Sequence, residues 1–145
     1  MTARILLIED NPLDAELIAE LLELADGDYA VERHARLEPA MDSLRQRSFD
    51  VVLLDLRLPD AEGVPALRRL LAEANDTPIV VLTGMDDRQL AAACIEAGAA
   101  DYVEKDALTT RQLERSLRYA AARGRAGPPP RRRRFLPVLP PRWRL

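Results

Sequence analysis

Short apolar runs alternate with longer amphipathic stretches along residues 1–122. Residues 5–8, 51–54 and 79–82 consist only of isoleucine, leucine and valine. Runs of this length and composition are typical of strands that are buried on both faces of a sheet. Two weaker runs, at residues 29–33 and 100–103, are predicted to be strands at outer positions.

The stretches between these runs have the apolar spacing of helices. The first begins with Asn11 as its N-cap and Pro12 as its first residue, and Gly27 is predicted to close it. The side chains predicted to face the core from this helix are Leu13, Leu17, Ile18, Leu21, Leu22 and Ala25. Further helices are predicted near residues 38–47, 65–74 and 110–122, and Gly98 is predicted to close another.

Strands that alternate with helices in this way predict an α/β fold, a doubly wound parallel sheet with helices on both faces. Such a fold places its functional site outside the carboxyl ends of the strands. Polar residues directly follow the predicted strands: Glu9, Asp10, Asp55, Thr83, Gly84, Glu104 and Lys105. We therefore expect these side chains to meet at one rim of the sheet.

Composition limits the class of protein. The 145 residues are 48% apolar and 31% charged, which is ordinary for a globular domain. The single cysteine, Cys94, excludes an internal disulfide framework and a cysteine-built zinc site, and is predicted to be a small buried side chain. No apolar run approaches the roughly 18 residues of a membrane span. Because Glu9 and Asp10 come too early for a signal peptide, we expect a cytoplasmic protein.

Charge is distributed unevenly along the chain. Residues 123–145 carry +8 from eight arginines with no acid, whereas the remaining 13 basic and 24 acidic residues give −11. Six of the 11 prolines also lie there. We predict one domain over residues 1–122 and an extended Arg/Pro-rich tail over 123–145. The tail is either a solvated extension or a docking peptide whose apolar anchors are Phe135, Leu136, Val138, Leu139 and Trp143. The overall acidity makes nucleic acid or anionic lipid a less favoured target.

The rim residues favour one kind of chemistry. The carboxylates of Glu9, Asp10 and Asp55 would repel one another, and a hard divalent cation such as Mg²⁺ relieves that repulsion. Lys105 and Thr83 add an ammonium group and a hydroxyl. A cation, an ammonium and a hydroxyl around one carboxylate suit the transfer of a phosphoryl group to that carboxylate. Asp55, which ends the central strand, is the candidate acceptor.

Four segments carry a resemblance to a known family. They are ILLIEDN at 5–11, VVLLDLRLPDAEG at 51–63, IVVLTG at 79–84 and GAADYVEK at 98–105. Over residues 1–122 the chain resembles the receiver domain of bacterial two-component response regulators. This resemblance implies the flavodoxin-like (βα)5 topology, with strand order 2-1-3-4-5.

The resemblance also implies residue roles. Asp55 would be the phosphoacceptor and, with Asp10 and the backbone carbonyl of Arg57, would hold Mg²⁺. Glu9 would act on the metal through water. Thr83 and Lys105 would bind the phosphoryl oxygens, and Tyr102 would change rotamer as Thr83 moves.

The sequence departs from the family at two positions. Glu9 stands where the family more often has aspartate, which keeps the charge on a longer arm. Asp106 follows Lys105 where the family usually has proline, commonly after a cis bond. Because a cis bond before a non-proline residue costs about 2.5–4 kcal/mol, we predict a trans bond here. His34, on the weak second strand, is predicted to be structural or exposed.

These features predict a single-domain response regulator that accepts a phosphoryl group from a sensor histidine kinase and turns over no separate substrate. Its output would be protein contact through the face formed by the fourth helix, fifth strand and fifth helix. Alternatives are a phosphorelay intermediate or phosphate sink, and a pseudo-receiver scaffold that takes no phosphate. Arg111, Arg115 and Arg118 form a stripe on the last helix that is either solvated or pairs with acids in a homodimer.

Overall fold

The structure, a computed structural model, describes residues 2–84 and 88–126. The strands are β1 (Thr2–Ile8), β2 (Asp28–His34), β3 (Val51–Asp55), β4 (Arg57–Leu58), β5 (Ala61–Glu62), β6 (Ile79–Thr83) and β7 (Asp101–Glu104). The helices are α1 (Pro12–Glu23), α2 (Leu37–Gln46), α3 (Gly63–Ala74), α4 (Arg88–Ala97) and α5 (Thr110–Ala126). The predicted tail beyond residue 126 lies outside the described residues.

The central sheet has five parallel strands in the order β2-β1-β3-β6-β7. Counted along the sheet's own strands this order is 2-1-3-4-5, so the predicted topology is confirmed. β4 and β5 form a separate antiparallel ribbon of two residues each directly after β3. The sequence pattern did not predict this ribbon.

Alternate strand residues pack into two cores on the two faces of the sheet, as a side-chain period of two requires. Leu6, Ile8 and Leu54 belong to the core that α2, α3 and α4 cover. Ile5, Leu7 and Leu53 belong to the core that α1 and α5 cover. Cys94 is fully buried in the first of these cores, as predicted.

The predicted apolar face of α1 was too wide. Ala15, Ile18 and Leu22 are buried, whereas Leu13 is 77% exposed and Leu17 39% exposed. The predicted set covers about half of the helix circumference at 3.6 residues per turn, and packing against the sheet buries a narrower stripe. The sequence pattern therefore located the helix correctly but assigned two exposed leucines to the core.

Gly27 has a different role from the one predicted. α1 ends at Glu23 with Leu24 as its C-cap in the right-handed helical conformation, so Gly27 does not close the helix. A Cβ atom at Gly27 would lie 2.9 Å from Oε2 of Glu114 and 2.9 Å from the hydroxyl of Tyr29. Gly27 is needed for the close approach of these two side chains. Gly98 does follow α4 directly, with φ +130°, as predicted.

The last helix is longer than predicted. α5 continues from Thr110 to Ala126 and therefore enters the segment assigned to the tail. The boundary between domain and tail stays a prediction. No helix within residues 2–84 and 88–126 has both the length and the apolarity needed to cross a membrane.

Candidate functional site

Three carboxylates meet at the carboxyl ends of β1 and β3. Asp55 ends β3, and Glu9 and Asp10 directly follow β1, whose Ile8 pairs with Leu54 of β3. One carboxylate oxygen from each of Glu9, Asp10 and Asp55 lies within 4.8 Å of the other two. Glu9 is fully buried and Asp55 is 5% exposed, while Asp10 is partly exposed. The structure thus brings together the three acids that the sequence predicted at this rim.

Backbone contacts fix the segment that carries two of these acids. The N–H of Glu9 donates to the carbonyl of His34 at 3.0 Å, and the N–H of Asn11 donates to Oε2 of Glu9 at 3.2 Å. The Arg33 guanidinium donates to the carbonyl of Glu9 through Nε at 3.1 Å and through a terminal nitrogen at 2.9 Å. The Asn11 side chain then caps α1 by accepting from the N–H of Leu13. These contacts with β2 and α1 fix the orientation of the segment that carries Glu9 and Asp10.

The pKa of Glu9 reflects its burial and its position beside Asp55. Burial and the hydrogen bond and charge of Asp55 raise the pKa of Glu9 to about 7, against a lowering contribution from Lys105. Glu9 therefore binds a proton more strongly than an exposed glutamate, whose pKa is near 4.5. A divalent cation bound beside it would lower the pKa of Glu9 further than Lys105 does and would favour the carboxylate form.

Lys105 brings a positive charge to the carboxylates from the loop after β7. Its Nζ lies 2.9 Å from Oδ2 of Asp14, 3.1 Å from Oε1 of Glu9 and 3.7 Å from Oδ2 of Asp55. Its backbone N–H donates to the carbonyl of Thr83 at 2.9 Å. Burial alone would lower the pKa of Lys105, but hydrogen bonds to Asp14 and Glu9 raise it overall, so the ammonium form is strongly favoured.

The loop that carries Lys105 continues without a cis bond. No peptide bond among the described residues is cis, so the trans bond predicted between Lys105 and Asp106 is confirmed. Ala107 then adopts φ 58°, in the left-handed region. This conformation costs a residue with a Cβ atom roughly 1–2 kcal/mol. The turn into α5 therefore stores backbone strain two residues after the lysine.

Thr83 and Tyr102 occupy the ends of the two neighbouring strands. Thr83 ends β6, is 3% exposed, and its hydroxyl donates to the carbonyl of Val103 at 3.3 Å. Tyr102 lies on β7 and its side chain is 38% exposed. The threonine hydroxyl is thus bonded across to the strand that carries the tyrosine.

The segment after Asp55 links the acceptor candidate to α2. The N–H of Arg57 donates to Oδ1 of Asp55 at 3.2 Å, and the Arg57 side chain is exposed. Asp60, in the turn of the β4–β5 ribbon, accepts from the N–H groups of Leu37 at 2.8 Å and Glu38 at 3.0 Å. The start of α2 has no side-chain cap of its own from Arg36, so the Asp60 carboxylate serves as its cap.

Sequence reasoning missed three residues that shape the site: Asp14, Arg33 and Asp60. A signal existed for Asp14, because it lies in the first turn of a helix that begins at the rim. Arg33 and Asp60 act on backbone groups that are distant in sequence, and no local pattern identifies such contacts. His34, predicted to be structural or exposed, is partly buried and contacts Glu32 at 2.7 Å and Ser43 at 3.1 Å.

The donor set at the rim fits a hard divalent cation. It consists of carboxylate oxygens, without a histidine or cysteine among the grouped residues, and such ligands suit Mg²⁺. Burial is the main cause of the raised pKa of Glu9, and the neighbouring Asp55 carboxylate adds to it.

Comparisons with known proteins find one family whose model spans most of the chain. The profile of the response regulator receiver domain matches residues 5–118. The chain is similar to the nitrate/nitrite response regulator protein homolog of Haemophilus influenzae, at 34% identity over 117 residues that cover 81% of this chain and 56% of that protein. It is also similar to the cell cycle transcriptional regulator CtrA of Caulobacter vibrioides, at 35% identity over 102 residues. These residues cover 70% of this chain and 43% of that protein. The chain thus spans about half the length of these curated relatives.

Solved structures show the same similarity. The receiver domain of a sensor histidine kinase from Pseudomonas aeruginosa, which has a magnesium ion coordinated in its active-site cleft, matches with TM-score 0.72 and 30% identity, covering 84% of this chain and 99% of that one. A response regulator receiver domain protein from Clostridium thermocellum matches with TM-score 0.74 and 25% identity. The match covers 86% of this chain and 98% of that one.

Proposed function

Because this chain belongs to the family of response regulator receiver domains, we propose that Asp55 accepts a phosphoryl group from the phosphohistidine of a sensor histidine kinase. The observation that carries the proposal is the position of Asp55, 5% exposed, beside two further carboxylates and 3.7 Å from the ammonium of Lys105. A carboxylate held beside a fixed cation suits a phosphoryl acceptor, because the transferred group brings negative charge. The protein would catalyse only its own phosphorylation and dephosphorylation.

The residues of this chain have separate tasks in the transfer. The bond from phosphorus to the donor's imidazole nitrogen breaks, and a bond from phosphorus to an Asp55 carboxylate oxygen forms. The N–H of Arg57 orients the Asp55 carboxylate through Oδ1. Lys105 faces Oδ2 and would pair with a phosphoryl oxygen. The Thr83 hydroxyl, now bonded to Val103, would donate to another oxygen after turning away from that carbonyl.

We further propose that the acidic cluster binds Mg²⁺. Asp10, Asp55 and the backbone carbonyl of Arg57 would hold the ion directly, and Glu9 would act through water. When bound, the ion would neutralise negative charge on the phosphoryl oxygens. The clustering of Glu9, Asp10 and Asp55 oxygens within 4.8 Å supports this assignment.

The signal would leave the site through Thr83 and Tyr102. Movement of the Thr83 hydroxyl toward the phosphoryl group would break its bond to Val103, the residue next to Tyr102. The 38% exposure of Tyr102 leaves it able to respond with a rotamer change. The output surface would then be the face formed by α4, β7 and α5, which a protein effector or a second copy of the chain would contact.

A phosphorelay role remains as a second candidate. In that role Asp55 would pass its phosphoryl group to a histidine phosphotransfer protein. The chemistry at Asp55 is the same for both roles. A scaffold that takes no phosphate is less favoured, because Asp10, Asp55, Thr83 and Lys105 are all present.

Intact-mass measurement tests the proposal. Incubation with Mg²⁺ and acetyl phosphate should add the mass of one phosphoryl group, and chelation of the metal should prevent the gain. Asp55→Asn should abolish it. Asp60→Asn is the matched control, since it changes a carboxylate of the following turn that contacts α2. A mass gain that persists in Asp55→Asn would contradict the assignment.

A further inference from the structure

The shortest contact of the Lys105 ammonium is with Asp14, a residue that the proposed phosphotransfer chemistry does not use. Nζ of Lys105 lies 2.9 Å from Oδ2 of Asp14, closer than to Glu9 at 3.1 Å or to Asp55 at 3.7 Å. The contacts to Asp14 and Glu9 are hydrogen bonds, whereas the contact to Asp55 is too long for one. The lysine is therefore held on the α1 side of the site.

The Asp14–Lys105 pair differs from an ordinary surface ion pair. The Lys105 side chain is 19% exposed and the Asp14 side chain 33% exposed. Partial burial strengthens the attraction between two charges relative to a pair in water. The pair also joins two elements that are distant in sequence, the first turn of α1 and the loop between β7 and α5. The first turn of α1 and this loop together fix the geometry of the ion pair.

We propose that Asp14 is a positioning residue that competes with a phosphoryl group on Asp55 for the Lys105 ammonium. This inference rests on the proposed function of Asp55. Before phosphorylation, Asp14 and Glu9 hold the lysine. After phosphorylation, Lys105 turns to a phosphoryl oxygen and its hydrogen bond to Asp14 lengthens or breaks. Asp14 thereby lowers the affinity of the site for the phosphoryl group.

Two physical effects act in the same direction. Moving Lys105 toward the phosphoryl group requires it to give up part of its contact with Asp14, which opposes the movement. The carboxylate of Asp14 is also a negative charge near a group that brings further negative charge. Removing that charge should favour the phosphorylated state through Lys105 and, to a smaller extent, through the direct field.

A purely structural role for Asp14 predicts a different result. An acid in the first turn of a helix is favourable near the positive end of the helix dipole. If that were its only role, replacing it would lower the stability of the fold and leave the affinity for a phosphoryl mimic unchanged. Affinity and stability must therefore be measured separately.

The test measures the affinity of the Mg²⁺-saturated full chain for beryllofluoride, a phosphoryl mimic, by ¹⁹F NMR. Asp14→Asn and Asp14→Ala should bind it about 3- to 10-fold more tightly than the wild type. The matched control is Glu16→Gln, which removes one charge from an exposed position of α1. Glu16 lies roughly 200° around the helix from Asp14, so its replacement should change the affinity little. Thermal unfolding of each variant verifies that it is folded.

A double-mutant cycle shows whether Asp14 acts through Lys105. In a Lys105→Met background the gain from Asp14→Asn should largely disappear, because the competing ammonium is absent. If Asp14→Asn raised the affinity for beryllofluoride equally in the Lys105→Met background, Asp14 would act only through direct electrostatic repulsion of the phosphoryl mimic. That result would overturn the proposal.

Lys105 also supplies a direct signal. It is the only lysine of the 145 residues, so lysine-selective ¹⁵N labelling gives one side-chain ammonium resonance. Beryllofluoride should shift this resonance in the wild type as the lysine changes partners. In Asp14→Asn the starting resonance should already be displaced. An unchanged starting resonance would contradict the proposed position of the lysine.

The outcomes separate this inference from the proposed function. Wild-type protein that binds no beryllofluoride in the presence of Mg²⁺ would overturn both. Wild-type protein that binds it, with Asp14→Asn and Asp14→Ala equal to Glu16→Gln, would leave the function of Asp55 in place and overturn the role of Asp14.

Discussion

Nζ of Lys105 lies 3.7 Å from Oδ2 of Asp55, within ion-pair distance but too far for a hydrogen bond. The lysine therefore offsets the charge of the acceptor candidate without occupying its oxygen. The same ammonium donates to the fully buried Glu9 at 3.1 Å. Removal of Lys105 consequently affects both the stability of the acidic cluster and its chemistry.

We expect Lys105→Ala to lower the free energy of unfolding by about 1–3 kcal/mol in the absence of metal, because Glu9 loses its cation. Mg²⁺ should restore more stability to this variant than to the wild type, since Asp10 and Asp55 remain. Urea unfolding with and without Mg²⁺ measures both effects. Loss of Mg²⁺ stabilisation in the variant would show that Lys105, contrary to our proposal, is needed for metal binding.

The raised pKa of Glu9 predicts how stability depends on pH in the absence of metal. The folded protein has a pKa of about 7 at Glu9, against about 4.5 for an ordinary glutamate. Between these values the folded state binds more protons than the unfolded state, so this group's contribution to stability is present below pH 4.5 and is lost as pH rises through about 7.

Unfolding free energies measured from pH 4 to pH 8 test this dependence. The unfolding free energy of Glu9→Gln should decrease more slowly with rising pH than that of the wild type. Saturating Mg²⁺ should also flatten the pH dependence of the wild type. Glu16→Gln, which changes an exposed glutamate of α1, should keep the wild-type slope. Parallel curves for Glu9→Gln and the wild type would contradict the assignment.

The capping of α2 by Asp60 predicts a measurable loss in Asp60→Ala. Removing the acceptor for the N–H groups of Leu37 and Glu38 should cost about 1 kcal/mol of stability, as for other N-terminal caps. Amide hydrogen exchange should accelerate at these two residues. Asp60→Asn keeps one side-chain oxygen as an acceptor and should lose less stability than Asp60→Ala. Unchanged exchange at Leu37 and Glu38 in Asp60→Ala would show that water replaces the cap without cost.

The left-handed conformation of Ala107 predicts that Ala107→Gly stabilises the protein by about 0.5–1 kcal/mol. Glycine adopts φ 58° without the strain that a Cβ atom causes. Ala92→Gly, at an exposed position inside α4, is the matched control and should destabilise by about 1 kcal/mol. If Ala107→Gly destabilised the protein as Ala92→Gly does, Ala107 would carry no strain.

The sequence predicted the elements whose patterns are local. Fully apolar runs at residues 5–8, 51–54 and 79–82 lie within β1, β3 and β6. The ends of these runs correctly located Glu9, Asp10, Asp55 and Thr83 along the sheet edge. The existence and order of the helices also followed from their period. These features depend on neighbouring residues alone, so one sequence was enough.

Other features depend on contacts between distant segments. The exposure of Leu13 depends on how α1 lies against the sheet, and the need for Gly27 depends on Glu114 in α5. The β4–β5 ribbon has two residues per strand, too few for a period. The pairing of Asp14 with Lys105 depends on the path of the loop after β7. None of these contacts leaves a periodic signal in the sequence.

Lys105 is also the one side-chain amine of the chain, since all other basic side chains are arginine or His34. Hydrogen bonds to Asp14 and Glu9 favour its ammonium form, and only 19% of its side chain is exposed, so it should react slowly with acylating reagents, which attack the neutral amine. Acylation would remove the positive charge and leave the arginines untouched. Where a reagent did acylate Lys105, that one modification would remove the charge as Lys105→Ala does, with the same loss of stability. Slow labelling of this amine would therefore report that the ammonium is held in the site.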